Sequence, residues 1–466
     1  MDPAPASRSR RALAVGTALT LVGCTVGPNY LRPPTSEAAA WHEPLGSALT
    51  DAPTDRDRLA SWWRQLGDPL LDDLVARAVA GNLDLRAARE RVLAAGAHRD
   101  AAEAALYPTL RAKLVLSPKK PPSSSSKQAT GLEALWTLDA FGALRRGVEA
   151  SLDDLGASEE DLHDALVGLA AELVQSYVDL RGLQARIAIA EQNLEAQSQT
   201  AELAHWRSAA GLTTVLDVER ADANAAQTRS QLPGLRAQVE EAENRIAILV
   251  GEVPGSLAAL LEAPGPIPSA PAEIAVGVPA EALLQRPDVR RAERQLAAET
   301  ARVGVAKAAA YPSISLSGAI GTRAISPAPV ASLSAAAASE FAQVIFDHGA
   351  IKARIRAQKA VRAESLARFQ QTTLSALEEV EDGIAAFGGE QDRRVLLAEA
   401  ADSAGRAALL SRDRYASGLV DFQVVLDAER SLYSLQDELV ASEQLVASDL
   451  VRLYQSLGGG WSTEAT

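Results

Sequence analysis

Residues 209–220 read Ala-Ala-Gly-Leu-Thr-Thr-Val-Leu-Asp-Val-Glu-Arg, and residues 417–430 read Ser-Gly-Leu-Val-Asp-Phe-Gln-Val-Val-Leu-Asp-Ala-Glu-Arg. Leu216-Asp217-x-Glu219-Arg220 thus returns as Leu426-Asp427-x-Glu429-Arg430, about 210 residues later. Each passage joins two leucine-periodic segments, so each marks a sharp turn at the end of a long helical hairpin.

The same step appears elsewhere along the chain. Asn82-Leu83-Asp84 is answered by Arg286-Pro287-Asp288, Tyr107-Pro108 by Tyr311-Pro312, and Asp139-Ala-Phe-Gly142 by Asp347-His348-Gly349. A landmark order repeated at a near-constant distance is the signature of internal duplication. The chain therefore reads as two copies of one unit: helix, two strands, long helix, tip, long helix.

The strands show period two. Leu110, Ala112, Leu114 and Leu116 share one face against Thr109, Arg111 and Lys113, and Leu132, Ala134, Trp136, Leu138 and Ala140 alternate again after a polar loop over 118–131. In the second copy Ile314, Leu316, Gly318 and Ile320 alternate with serines, and a less regular strand is expected from about Ala338 to Phe346. The long helices follow from missing breakers. No proline lies between Pro122 and Pro233 or after Pro329. Leu166, Leu169, Leu173, Tyr177 and Leu180 have coiled-coil spacing, and a helix over 151–209 would be roughly 88 Å long. Gly388-Gly389 is expected to weaken its counterpart over 349–416.

Composition narrows the function. The chain has 466 residues, a formal charge of −14 and only 4% aromatics, and so acidic a surface argues against nucleic acid as partner. The single cysteine, Cys24, follows a basic segment (Arg8, Arg10, Arg11), a short apolar stretch (residues 12–22) and Leu21-Val22-Gly23. That pattern reads as a lipoprotein signal peptide over 1–23, with Cys24 the acylated first residue of the mature chain. Residues 24–60 read as an extended tether, repeat 1 spans 61–252 with its β-hairpin at 107–141, and a proline-rich linker covers 253–280. Repeat 2 spans 281–457 with its hairpin at 311–347, and 458–466 is a tail.

Four strands cannot close a membrane barrel, which needs about eight or more, and an open edge in hydrocarbon is costly. Several chains must share one barrel. The lipobox ending in Cys24, the Trp62-Trp63 to Asn82 helix, the Tyr-Pro hairpin entries, the Gly-Leu tips and the Leu457-Gly-Gly-Gly-Trp461 ending together resemble TolC-like outer membrane factors of tripartite efflux pumps. The resemblance is greatest to the lipoprotein branch that works with resistance-nodulation-division (RND) pumps. It implies a mainly α fold with a membrane β-barrel: a homotrimer with a twelve-stranded β-barrel continuous with a twelve-helix α-barrel.

The resemblance also implies an outer-membrane exit duct for small toxic compounds such as drugs, opened by a periplasmic adaptor and fed by an inner-membrane RND pump. It assigns Asp217 and Asp427 to a pore constriction, with apolar Leu216 and Val424 nearby, Gly211-Leu212 and Gly418-Leu419 to adaptor docking, and Arg414 and Tyr415 to a closed-state latch. For the two aspartates the alternative is helix capping. Export of metals or of secreted proteins through the same duct stays open, and a lipid-anchored coiled-coil scaffold without a pore is the reading from another class. No cofactor, metal site or enzymatic activity is expected: His42, His98, His163, His205 and His348 are scattered, and Glu378-Glu379-Val-Glu381-Asp382 reads as a solvated charge run.

Overall fold

The computed structural model describes residues 25–34, 40–46, 48–53, 55–117, 126–271, 273–326 and 328–462. Cys24 and the leader before it lie outside the described residues. The chain divides into two compact units. Unit 1 takes residues up to Pro34 with 90–159 and 290–371, and unit 2 takes 35–89, 160–289 and 372 onward.

The duplication is visible in element lengths. α2 (Pro69–Gly81) leads into α3 (Leu83–Ala104), the hairpin β2 (Thr109–Ser117) and β3 (Ser126–Leu138), then α4 (Ala143–Ala209) and α5 (Val215–Leu249). The second copy gives α7 (Pro279–Gln285), α8 (Pro287–Ala308), β5 (Ser313–Ser326), β6 (Ala328–Ala342), α9 (Ala350–Ala416) and α10 (Phe422–Ser456). α3 and α8 each have 22 residues, α4 and α9 each 67, and α5 and α10 each 35. Both ends of α9 and of α10 fall 207 residues after the matching ends of α4 and α5. This corrects the register of the opening motif. Its match at 210 is three residues out of step, so Val424 holds the place of Asp217, and Asp427 the place of Arg220. The motif looked aligned because four of its residues are identical at that offset.

Unit 1 is built on one antiparallel sheet in the order β2-β3-β5-β6. Thr109 faces Leu135, Leu138 faces Ile314 and Ser313 faces Ala342. Partners across a ladder share a face, so Leu110, Leu114, Leu132, Trp136, Leu316 and Ile320 form one apolar wall, and all six are exposed. Lys113 and Glu133 form an ion pair on the other face. Three strand boundaries differ from expectation. β3 begins inside the segment read as loop, and β6 begins ten residues before Ala338 and stops four before Phe346.

Unit 2 shows why 24–60 and the linker are more than tethers. β1 (Leu49–Thr50) pairs in parallel with β4 (Ile274–Ala275), Leu49 and Ile274 are buried, and Trp41 Nε1 donates to the Gly277 carbonyl at 2.8 Å. Short helices α1 (Arg56–Ala60) and α6 (Ala258–Leu261) flank this pair in sequence. Trp62-Trp63 does not open an α-helix but a 3-10 helix, Trp62–Leu66, closed by Gly67 at φ 69°. Trp62 is fully buried and stacks on Tyr454 with ring centres 4.9 Å apart. The glycine tail packs as well: a side chain at Gly459 would run into Leu59 and Trp62, and Trp461 stacks on His163.

The Glu378–Asp382 run is not a plain solvated face. Glu379 accepts from buried Arg286 at 2.6 Å, and Glu381 accepts from the backbone amides of His42 and Glu43. α9 continues unbroken through Gly388-Gly389.

Candidate functional site

Both tips, in unit 2, end their long helix in the same way. Leu212 N donates to Arg207 O (2.8 Å) and Gly211 N to Ser208 O (2.9 Å); Leu419 N donates to Arg414 O (2.8 Å) and Gly418 N to Tyr415 O (2.9 Å). This is the Schellman pattern, and it requires the left-handed φ of 73° at Gly211 and 72° at Gly418. The residue after each glycine is open to solvent, Leu212 66% and Leu419 73% exposed. Two identical turns thus each present one unburied leucine.

The starts of the returning helices differ. Thr214 caps α5, accepting from Asp217 N, while Asp217 Oδ2 accepts from Thr213 Oγ1 (2.6 Å), Thr214 Oγ1 (2.8 Å) and Thr214 N (3.3 Å). The Thr213 hydroxyl, followed by those of Thr214, holds the Asp217 carboxyl below the usual carboxylate range. On α10 the capping residue, Asp421, makes no side-chain cap bond. Asp427 lies beyond the first turn, is exposed and accepts from Gln423 Nε2 at 2.9 Å. Leu216 and Val424 are both exposed.

Between the tips sits a small core of Ala201, Ala204, Val218, Ala221, Tyr415, Phe422, Val425 and Leu426. Tyr415 belongs to this core, packed edge-on against Phe422, rather than to the surface beside exposed Arg414. The residue that locks it is Arg207. Its guanidinium lies 4.7 Å from the Tyr415 ring centre, and Nη1 donates to the carbonyls of Tyr415 (3.0 Å) and Ala416 (3.1 Å). A cation from α4 thus binds two carbonyls at the end of α9, where helix polarity favours positive charge. Below it, buried Glu429 accepts from Thr200 Oγ1 (2.6 Å) and Arg412 Nε (2.8 Å).

Sequence reading missed Arg207, Thr200, Arg412 and Glu429. The signal was there for the first of them: at the step of 207, Arg207 is the counterpart of Arg414.

Residues 74–252 and 278–459 match the family described as Outer membrane efflux protein, the two segments falling on the two repeats. The chain belongs to the outer membrane efflux protein family. Nodulation protein T of Rhizobium leguminosarum bv. trifolii is 31% identical over 457 residues, covering 96% of this chain and 97% of that protein. The pyoverdine export outer membrane protein OpmQ of Pseudomonas aeruginosa is 32% identical over 431 residues, covering 88% and 90%. Among solved structures, the outer-membrane channel OprN superposes with a TM-score of 0.85 at 37% identity, covering 94% of this chain and all of that one.

This efflux protein is therefore a channel of the TolC-like type and not an enzyme. Among its described residues no group of His, Cys, Asp and Glu could hold a metal ion, and no helix is long and apolar enough to cross a membrane. The apolar wall on the sheet of unit 1 is the surface suited to the outer membrane.

Proposed function

We propose that three copies of this chain form the exit duct of a tripartite efflux system. Each contributes four strands to a twelve-stranded outer-membrane barrel and two helical hairpins to a twelve-helix barrel in the periplasm. Acylated Cys24 adds a lipid anchor. A periplasmic adaptor docks at Gly211-Leu212 and Gly418-Leu419, and an inner-membrane RND pump delivers small toxic compounds such as drugs. The name of the relative OpmQ, a pyoverdine export protein, supports small-molecule cargo.

The observation that carries this reading is the pair of matched tips, each exposing a leucine that its own hairpin leaves uncovered. Within the assembly, Asp217 and Asp427 constrict the pore together with Leu216 and Val424. Because the two aspartates occupy different positions in their repeats, they form two acidic rings rather than one of six, each attracting cations and restricting anions. Arg414 stands where Arg207 stands in the first repeat. It latches the closed state by reaching the end of α4 in the next copy, as Arg207 with Tyr415 holds the end of α9 within one chain.

The test places a photo-crosslinking residue at Leu212 or Leu419 in cells and identifies the captured protein by mass spectrometry. An adaptor of a proton-driven drug pump supports the reading, and that of a metal pump keeps the tip assignment but moves the cargo to metal ions. A secretion-system adaptor moves the function to protein export, and no capture at either site removes the tip assignment.

A further inference from the structure

Among the described residues the sheet of unit 1 has two edges that no strand covers: β2 at one side and β6 at the other. The internal duplication contains a template for how they meet. Inside the chain, the second strand of repeat 1 (β3) already pairs with the first strand of repeat 2 (β5), with Leu138 facing Ile314. In a ring of copies the second strand of repeat 2 (β6) faces the first strand of repeat 1 (β2) in the next copy, and this junction is the repeat-equivalent of β3 against β5.

The ladders fix the translation. Thr109 faces Leu135 in the first hairpin and Ser313 faces Ala342 in the second, so β5 follows β2 by 204 residues and β6 follows β3 by 207 at this end of the sheet. Carried across, the Leu138–Ile314 pair becomes Ile345 against Leu110 of the next copy. From this placement we infer the register of the seam between copies: Ile345 opposite Leu110, Val344 opposite Arg111, Ala342 opposite Lys113 and Phe341 opposite Leu114. The inference rests on the assembly proposed above and adds its residue-level pairing.

Two independent features of the chain agree with this register. The first is the early stop of β6. In repeat 1, residues 136–138 of β3 run past the last β2 partner and pair with β5 alone. Their counterparts, residues 343–345, lie beyond the end of β6 and have no ladder partner among the described residues. Ile345, the counterpart of Leu138, is 95% exposed, and its assigned partner Leu110 is 71% exposed. The second is parity. Phe341 faces Ile314 and therefore lies on the apolar wall, as do Leu110 and Leu114, so the pairs Ile345–Leu110 and Phe341–Leu114 set apolar against apolar on that wall, while Arg111 and Lys113 stay on the other face. A one-residue slip would set Ile345 opposite Arg111 and reverse the faces.

The test is disulfide trapping in the outer membrane of cells, with the unsubstituted chain, which carries Cys24 alone, as control. A disulfide needs Cα atoms within about 7 Å, which directly opposed residues satisfy and partners displaced by two do not. Oxidation of the double variants Arg111→Cys with Val344→Cys and Leu110→Cys with Ile345→Cys is expected to convert the monomer band into linked multimers on a non-reducing gel. The displaced pairs Lys113→Cys with Val344→Cys and Thr109→Cys with Val344→Cys are expected to stay monomeric there.

Linking of a displaced pair in preference to the opposed ones overturns the register. So does an absence of linking in both opposed pairs when mass photometry of the same detergent-extracted variants shows an intact oligomer. A monomer by mass photometry of the unsubstituted protein overturns the assembly itself, which is a separate failure.

Discussion

Asn82 and Arg286, 204 positions apart, make the same hydrogen bond in the two halves of the molecule. Asn82 Nδ2 donates to the carbonyl of Leu249, the last residue of α5, at 2.9 Å, and Arg286 Nη1 donates to the carbonyl of Ser456, the last residue of α10, at 2.6 Å. Both side chains are buried. Arg286 carries more, since its guanidinium also binds Asp288 and Glu379. Replacing it by Ala strands the Ser456 carbonyl and half-buried Asp288; because Glu379 is exposed, the loss falls toward or below the low end of the about 3–5 kcal/mol of a fully buried pair. Asn82→Ala removes a helix cap and one neutral bond, about 1–2 kcal/mol. Thermal unfolding in detergent should therefore rank Arg286→Ala below Asn82→Ala, and equal losses would refute the ranking.

Arg207→Ala removes the cap on α9 and the contact with the Tyr415 ring, a combined loss of about 1–2 kcal/mol confined to the tip. Amide hydrogen exchange over residues 408–422 should quicken while residues 160–180 keep their protection. Arg207→Lys retains the charge but not the planar guanidinium that lies over the Tyr415 ring, so it is expected to restore only part of the protection.

For Asp217 the sign is fixed by the direction of its shift. The folded carboxyl titrates below its unfolded value because Thr213 and Thr214 donate to the charged form. The tip is thus stabilised above the ordinary aspartate range, and that contribution is lost as pH falls through the folded value. Carbon-detected NMR of the side chain should place its midpoint below about 3.9, and Thr213→Val should raise it. A midpoint at or above the ordinary value would remove the capping account.

Conductance across planar membranes tests the constriction. The double variant Asp217→Ala with Asp427→Ala is expected to conduct more than the parent and to lose preference for cations. Unchanged conductance and selectivity would leave Asp217 only its helix cap.

Cys24→Ser should abolish acylation, seen as the loss of a lipid-sized mass from the mature N-terminal peptide. An unmodified cysteine in the parent protein would refute the anchor.

Much of this fold was readable because duplication and periodicity leave strong marks. The duplication, read at steps of about 204 to 210 residues, the helices free of breakers and the alternation around Leu110 and Leu132 come from local chemistry repeated twice. The tip glycines were legible for the same reason, since only a left-handed residue closes that turn. What escaped depended on partners far away in sequence. Nothing near Arg207 reveals that its target is the end of a helix about 208 residues on, and Glu381 looks solvated until the amides of His42 and Glu43 are brought to it. Asp427 was misaligned because a four-residue identity outweighed the true register, which only element lengths disclose.

Those equal lengths also bear on how the gene can change. Helices of 67 and 35 residues that recur with no difference between copies leave no slack, because one added residue in α4 alone would turn every following side chain by about 100° relative to its mate in α9. The β-hairpins already differ: the step between copies is 204 residues from Thr109 to Ser313 but 207 from Leu135 to Ala342. Tolerated insertions and deletions should therefore gather in the β-hairpins and in the 253–278 segment, and the helical hairpins should accept point substitutions only.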